Sequence, residues 1–386
     1  MPAVNTDAYG QLAILPYQAI SSFDETLQWF TDVIPSYSGK EERLCLRAQP
    51  RQGFNSEIIV QNNLVQDAFN TIYAAVGLKW AIPVWSEAQY VGNLSAGAQF
   101  CAIVDAYYDL RTNGLALLTG DCGAFQVISV INISGGYIYF DSLPSDIRNA
   151  YLQPLRVGRV IPPIGRKSSG FNSLITIQYA VDDNFDFDPD APTQFLGDDI
   201  YFDAPVSDGD RDSQNITTNL ETFDFDVGDV RATSAWLFNR LVQNYNVVTR
   251  TPAEAWALRM WLHRRKGKYQ AFWQPSFEHD VRLVTTGTLT DSIVVRKDSR
   301  TNWEMVRPHI AVEATDGAWY PRVITNVAPS GDNLQFTLDS ALGIDATEIR
   351  RISYLGLKRL NADSVTLRWG GNGSCRMSVQ TIELTA

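Results

Sequence analysis

The feature that most constrains this chain is a set of signals that occurs twice, in the same order, about 190 residues apart. Ala81-Ile82-Pro83-Val84-Trp85 and Trp273-Gln274-Pro275-Ser276-Phe277 each place a proline, one spacer and an aromatic residue. Ile131–Phe140 and Val327–Phe336 each read as a strand, a Ser-Gly turn and a second, alternating strand. Arg159-Val160-Ile161 with Gly165-Arg166-Lys167 parallels Arg351-Ile352-Ser353 with Gly356-Leu357-Lys358. Leu174–Tyr179 then parallels Ser364–Trp369. Matches that keep their order while drifting by a few residues are expected of a duplicated unit whose loops have changed length.

A helix is expected ahead of each copy. Leu64, Val65, Ala68, Phe69, Ile72 and Tyr73 have the spacing of an amphipathic helix, with Gly77 as its stop. In the second copy Thr251 caps, Pro252 takes the first helical position, and Ala255, Leu258, Trp261 and Leu262 supply the apolar face before Gly267. The expected fold class is α+β, predominantly β: two tandem copies of a small β-barrel or sandwich module, each with a preceding helix. The expected divisions are an N-terminal segment 1–31, a first module 32–182, an acidic linker or insertion 183–222, and a second module 223–386.

Charge sharpens this division. The formal net charge is −11. Residues 182–229 hold fifteen acids and one base, Arg211, so the rest of the chain is nearly neutral. The acidic stretch is expected to be exposed and outside both cores, because so many carboxylates with one arginine resist burial. The acidity argues against nucleic-acid binding as the main role. No run reaches the ~20 apolar residues of a membrane span, and the N-terminus lacks the pattern of a signal peptide. Cys45, Cys101, Cys122 and Cys375 have no C-x-x-C spacing and are expected as free thiols.

Catalytic chemistry is hard to find. There are three histidines. Glu278-His279-Asp280 has the right residue types, yet neighbours on a strand point to opposite faces. Gly370-Gly371-Asn372-Gly373 follows a strand with no helix after it and reads as a turn. Asp208-Gly209-Asp210-Arg211-Asp212 opens like a calcium loop, but Ser213 and Asn219 stand where the glycine and the bidentate glutamate belong. A solvated acidic loop is the expectation there and at Asp186–Asp190. No catalytic residue, metal or cofactor is expected.

Gly39-Lys40-Glu41-Glu42-Arg43, then Leu46-Arg47 and Pro50-Arg51, resembles a Gly-x-Glu-x-Arg … Arg … Pro-Arg run of structural proteins from the tail tip or baseplate of long-tailed bacteriophages. Phe272-Trp273-Gln274-Pro275 followed by Asp280 resembles their Phe-Trp-x-Pro … Asp run. The long Asp-rich insertion departs from that pattern. The resemblance implies a virion component, of distal-tail or hub type, that forms a ring adapting the tail tube to the tip. Its neighbours would be the tail tube, the tape-measure protein and other baseplate proteins, and it would assemble in the host bacterial cytoplasm. A homotrimer is favoured over a hexamer, since three copies of a two-module subunit present six similar surfaces to a sixfold tube. The alternative from another class is a virion-associated protein that binds or depolymerises carbohydrate. Arg43, Arg47 and Arg51, four residues apart, are candidate interface residues because arginine suits bidentate ion pairs; their spacing would make a stripe on a helix, but Pro50 favours an extended segment. Trp85, Trp273 and Phe277 complete the candidate interface set.

Overall fold

The structure, a computed structural model, describes residues 3–6, 10–75, 77–104, 106–204, 213–234, 236, 239–298 and 307–384. It is predominantly β, with two α-helices among the described residues, α1 (Asn62–Ala74) and α2 (Pro252–Arg265). Among the described residues no helix is long and apolar enough to cross a membrane.

The helices form where the apolar spacing places them, but α1 buries a narrower face than the spacing implies and α2 a wider one, with Arg259, His263 and Arg265 buried beside its apolar residues. On α1, Val65, Ala68 and Ile72 are buried against Phe54, Ile58, Ile175, Ile177 and Trp80. Leu64 and Tyr73, at the edges of the expected stripe, are exposed. On α2, the Thr251 hydroxyl accepts from the Glu254 backbone N–H at 3.2 Å, Pro252 follows the cap, and Lys266 ends the helix in the left-handed region. Gly267 continues at φ 67, where a Cβ would meet Asp363 Oδ1 at 2.4 Å, so no larger residue fits the turn. Ala255, Leu258, Trp261 and Leu262 face Tyr245, Phe272, Leu367 and Met377. Each such aliphatic side chain taken out of water contributes about 1.5–3 kcal/mol, more than the helix propensities involved.

The same order of strand pairings occurs in both halves. In the first, Ile147–Ser169 lies between Lys79–Pro83 and Asn172–Val181, and Asn172–Val181 pairs onward with Glu41–Gln61, the strand that leads into α1. In the second, Ile349–Leu360 lies between Phe272–Pro275 and Cys375–Glu383, and Cys375–Glu383 pairs onward with Arg240–Val248, the strand that leads towards α2. The two Ser-Gly segments both form hairpins, closed at Ser134↔Tyr137 and Ser330↔Asn333.

These pairings correct two of the matches drawn from the sequence. The counterpart of Leu174–Tyr179 is Cys375–Glu383, not Ser364–Trp369. Ser364–Trp369 instead pairs with Ala19–Pro35 of the N-terminal segment, Trp369 opposite Phe23 and Ser364 opposite Gln28. Pro83 pairs with Leu155 and Pro275 with Leu355, so Arg351 occupies the register of Tyr151 rather than of Arg159. Alternating apolar strands look alike in sequence, and only their hydrogen-bonded neighbours distinguish them.

Ala19–Pro35 also bridges the halves, with Ser364–Trp369 on one side and Glu41–Gln61 on the other. The expected boundaries at 31/32 and 222/223 both fall inside strands, Ala19–Pro35 and Leu220–Phe223. The acidic stretch is not wholly outside the cores. Asp198–Ile200 pairs in parallel with Phe272–Trp273, and Phe195, Asp199, Ile200 and Tyr201 are buried. Charge alone failed here because α2 ends in Arg264 and Arg265, both paired with Asp199.

Candidate functional site

Beyond Gln28 the strand Ala19–Pro35 has one described neighbour, Glu41–Gln61, and the two run on as an arm to a turn at Ser36–Lys40. Successive residues alternate between faces, so Asp32, Ile34, Glu42 and Leu44 share one side. That side is open and carries large apolar residues beside Asp32 and Glu42: Phe30, Ile34, Leu44 and Leu46 are 54%, 48%, 44% and 56% exposed, and Tyr37 at the turn is 70% exposed. A lone two-stranded ribbon is marginal in water, yet this one is braced. Arg240 donates to the Gly39 carbonyl and stacks its guanidinium 4.8 Å from the Trp236 ring. The Trp236 ring also packs on Gly39, 3.1 Å from where a Cβ would be. Glu41, nearly buried, accepts from Arg359 at 2.5 and 3.0 Å and from Arg240 at 3.3 Å. Burial would raise the Glu41 pKa, but the hydrogen bonds from Arg359 and the charges of Arg359, Arg240 and Arg43 outweigh it and hold it below the usual value.

The segment is extended, as Pro50 favours, and two of the three candidate interface arginines turn inward. Glu41–Gln61 is a strand throughout, so the four-residue spacing keeps Arg43 and Arg47 on one face by period two. Both are half-buried on the face opposite Leu44 and Leu46. Arg43 lies 3.9 Å from Glu41, and Arg47 donates to the Gln28 and Trp29 carbonyls at 2.9 Å. Of the three only Arg51 is exposed, after a register shift in the pairing. Trp273 is 3% exposed and packs with Phe195, Ile200 and Leu355, so its ring serves this chain's own core. Phe277 is half-buried, edge-on to Trp319 at 6.0 Å and under Arg351 at 5.5 Å. Trp85 is half-buried and lines an open cavity.

A buried charged network that the sequence did not disclose welds the halves together. Arg259 of α2 donates to Glu87 Oε1 and Glu25 Oε2, both at 2.6 Å. Gln52 and Trp369 donate to Glu25 at 2.7 and 3.0 Å. The Asp109 backbone N–H donates to Glu87 Oε2 at 2.5 Å, and the Asp109 carboxylate is held by Arg111 at 2.7 and 2.8 Å and by Arg156 at 2.5 Å. Burial raises the Glu87 pKa against the pull of Arg259. Burial also opposes the Asp109 charge, but Arg156 and Arg111 keep its pKa low. Burial would lower the Arg259 pKa, but Glu25, Glu87 and Asp109 raise it, so Arg259 stays charged. Every one of these carboxylate oxygens already has a donor, so the network fixes geometry and offers no free base. The one signal for it in the sequence was an arginine, Arg259, beside the apolar positions Leu258 and Leu262 of α2.

A polar cavity of about 500 Å³ lies where the acidic stretch meets the end of α2. Asp199 there accepts from Arg264 at 2.7 and 3.0 Å, from Gln194 at 2.9 Å and from Arg265. Burial works against its charge, but these donors win and its pKa is lowered. Asp186 reaches His263 at 3.4 Å and Lys266 at 3.3 Å. Asp208–Asp212, the calcium-loop-like run, lies outside the described residues. Asp280, of the Glu-His-Asp run, accepts from Ser276 and from the Tyr354 backbone N–H at 2.8 Å, a purely local brace.

Compared with protein-family models and with curated proteins, the chain finds no match in either.

Proposed function

We propose that this chain is a structural subunit of a bacteriophage tail tip or baseplate, closing into a ring that joins the distal tail tube to the tip, without catalytic activity. The observation that carries this reading is the braced arm. The arm that presents Phe30, Ile34, Leu44 and Leu46 to solvent is braced by hydrogen bonds from Arg240 to Gly39 and from Arg359 to Glu41. A pre-ordered apolar surface forfeits little entropy when another copy covers it. A second element, with no further strand partner among the described residues, points the same way. The hairpin Leu220–Phe223 with Arg231–Ser234 is exposed at every residue, Leu220 and Phe223 included.

The repeated order of pairings supports reading the halves as two copies of one small β module with a preceding helix. Three such subunits would offer six similar surfaces, which favours a homotrimer. Tail tube, tape-measure and other baseplate proteins are the proposed neighbours, and the virion tail the location. Native mass spectrometry and negative-stain images of the purified protein test the reading. Trimeric rings are expected, dispersed by Ile34→Asp with Leu46→Asp. Hexameric rings would refute the trimer, and a monomer that persists at high concentration would refute ring formation.

A further inference from the structure

A cavity of about 620 Å³ opens in the first half between Trp85, the paired strands Gln89–Leu94 and Ile147–Ser169, and the turn at Asp121–Gly123. Its wall carries a pair of exposed rings. Tyr90 and Tyr151 sit opposite each other across the two strands, 59% and 47% exposed, with ring centroids 5.3 Å apart. Its rim is a short relay of polar side chains. Tyr90 reaches Asn149 Oδ1 at 3.4 Å, and Asn149 donates to Asp121 Oδ2 at 2.6 Å. Asn149 holds φ 49 within a register shift of its strand, and its backbone N–H is taken by Asn93 at 2.8 Å.

Another lining residue is less easily explained by folding. Gln153 is fully buried, and its Oε1 has no hydrogen-bond partner. Its Nε2 makes a long contact of 3.5 Å with Thr119 Oγ1. An unmet buried acceptor costs about 1–3 kcal/mol, and such groups are rare unless something else satisfies them. At the matching register of the second half, Ser353 donates to the Glu278 carbonyl at 2.7 Å.

We infer that this cavity binds a neutral, hydroxyl-rich ligand, a hexopyranose unit of a glycan, stacked on Tyr90 and Tyr151 and hydrogen-bonded to Gln153, Asn149 and Asp121. The electron-rich faces of the two rings attract the polarised C–H groups of a sugar ring. Side-chain amides supply one acceptor and two donors each, which suits hydroxyls that both give and take hydrogen bonds. Charge selects among ligands that stack. The described lining contains no lysine, arginine or histidine and one carboxylate, Asp121, so phosphate-bearing nucleotides are disfavoured. One carboxylate is also one too few for glycoside hydrolysis, so the site binds without cleaving. The inference is independent of ring assembly, which native mass reads separately.

Saturation-transfer NMR on the full chain tests it with three neutral probes: cellotetraose, mannotetraose and tetra-N-acetylchitotetraose. At least one is expected to bind, with affinity falling tenfold or more in both Tyr90→Ala and Gln153→Leu. Tyr90→Phe, which keeps the ring, should retain most of the binding. Near-UV circular dichroism of each variant confirms the fold, and Gln153→Leu preserves side-chain volume while removing the acceptor. Binding of none of the three probes, binding untouched by both substitutions, or equal competition by adenosine monophosphate would each overturn the inference.

Discussion

The surroundings of Trp85 in the first half and of Phe277 in the second are framed by the same pairings and filled differently. Tyr151 pairs with Thr119, and Arg351, at the same register, pairs with Glu313. In the first half the result is an open cavity walled by two tyrosines. In the second, Arg351 forms an ion pair with Glu313 and lies over both Phe277 and Trp319, at 5.5 and 5.4 Å. Phe202, from the acidic stretch, closes the stack on Trp319 at 5.2 Å and 13°. One backbone frame thus yields a cavity or a plug according to a few side chains. The helices differ in the same manner: eight residues after its cap α1 carries Phe69, packed on the first core, and α2 carries Arg259, the centre of the buried network.

The sharpest way to break the comparison is to give α2 the residue of α1. Arg259→Phe strands Glu25 and Glu87 as buried acids without their cation. A loss of about 3–5 kcal/mol is expected in urea unfolding. A change below about 1 kcal/mol would mean that the network is not what joins the halves.

A second test uses Lys358, which stands opposite Phe272 where the first half has Gly158 opposite Trp80. Gly158 has no room for a side chain, since a Cβ would lie 2.1 Å from the Ala180 carbonyl. Lys358 is buried with its ammonium donating to Gln243 and Gln274, both at 3.0 Å. Burial, against the pull of Glu383 and with the push of Arg307, lowers its pKa to about 8. Above that pH the folded chain has released this proton while the unfolded chain still holds it, up to about 10.5. Stability from this group therefore rises with pH across that window, and the penalty of the buried charge is fully present below pH 8. Between pH 8 and 10 the gain is about 2 kcal/mol. Tyr354, pushed up to about 12 by burial, works the other way above pH 10, so the scan stops there. In Lys358→Met the rise should vanish; an unchanged slope would assign it to other groups.

The smallest effect belongs to the plug. Arg351→Ala removes the stacked cation, while Arg350 remains 3.0 Å from Glu313. The expected cost is about 1–2 kcal/mol. Tyr151→Ala, at the same register on an exposed ring, should cost less than half as much by thermal unfolding. Equal costs would mean that the two environments differ in shape but not in energy.

Part of the framework is legible in the residues alone. The Thr251-Pro252 start, the Gly267 stop and the apolar faces of both helices follow from local geometry, which a few neighbouring residues decide. The Ser-Gly hairpins at 134–137 and 330–333 follow for the same reason. For the candidate site the sequence supplied Trp85 and the arginines but not their surroundings. Arg43 and Arg47 turned towards their own chain, and Trp273 went into the core.

The sequence by itself determined part of the local order, the two helices and the Ser-Gly hairpins, because those choices rest on contacts within a few residues. Only the tertiary structure decided which strand lies beside which, and so that Cys375–Glu383 and not Ser364–Trp369 completes the second half. It also decided that Asp199 and Glu25 are buried, since arginines distant in sequence hold them there. Pairing and charge compensation act between residues tens to hundreds of positions apart. Many partners in a single sequence satisfy the same alternation and the same sign of charge, and packing density selects among them.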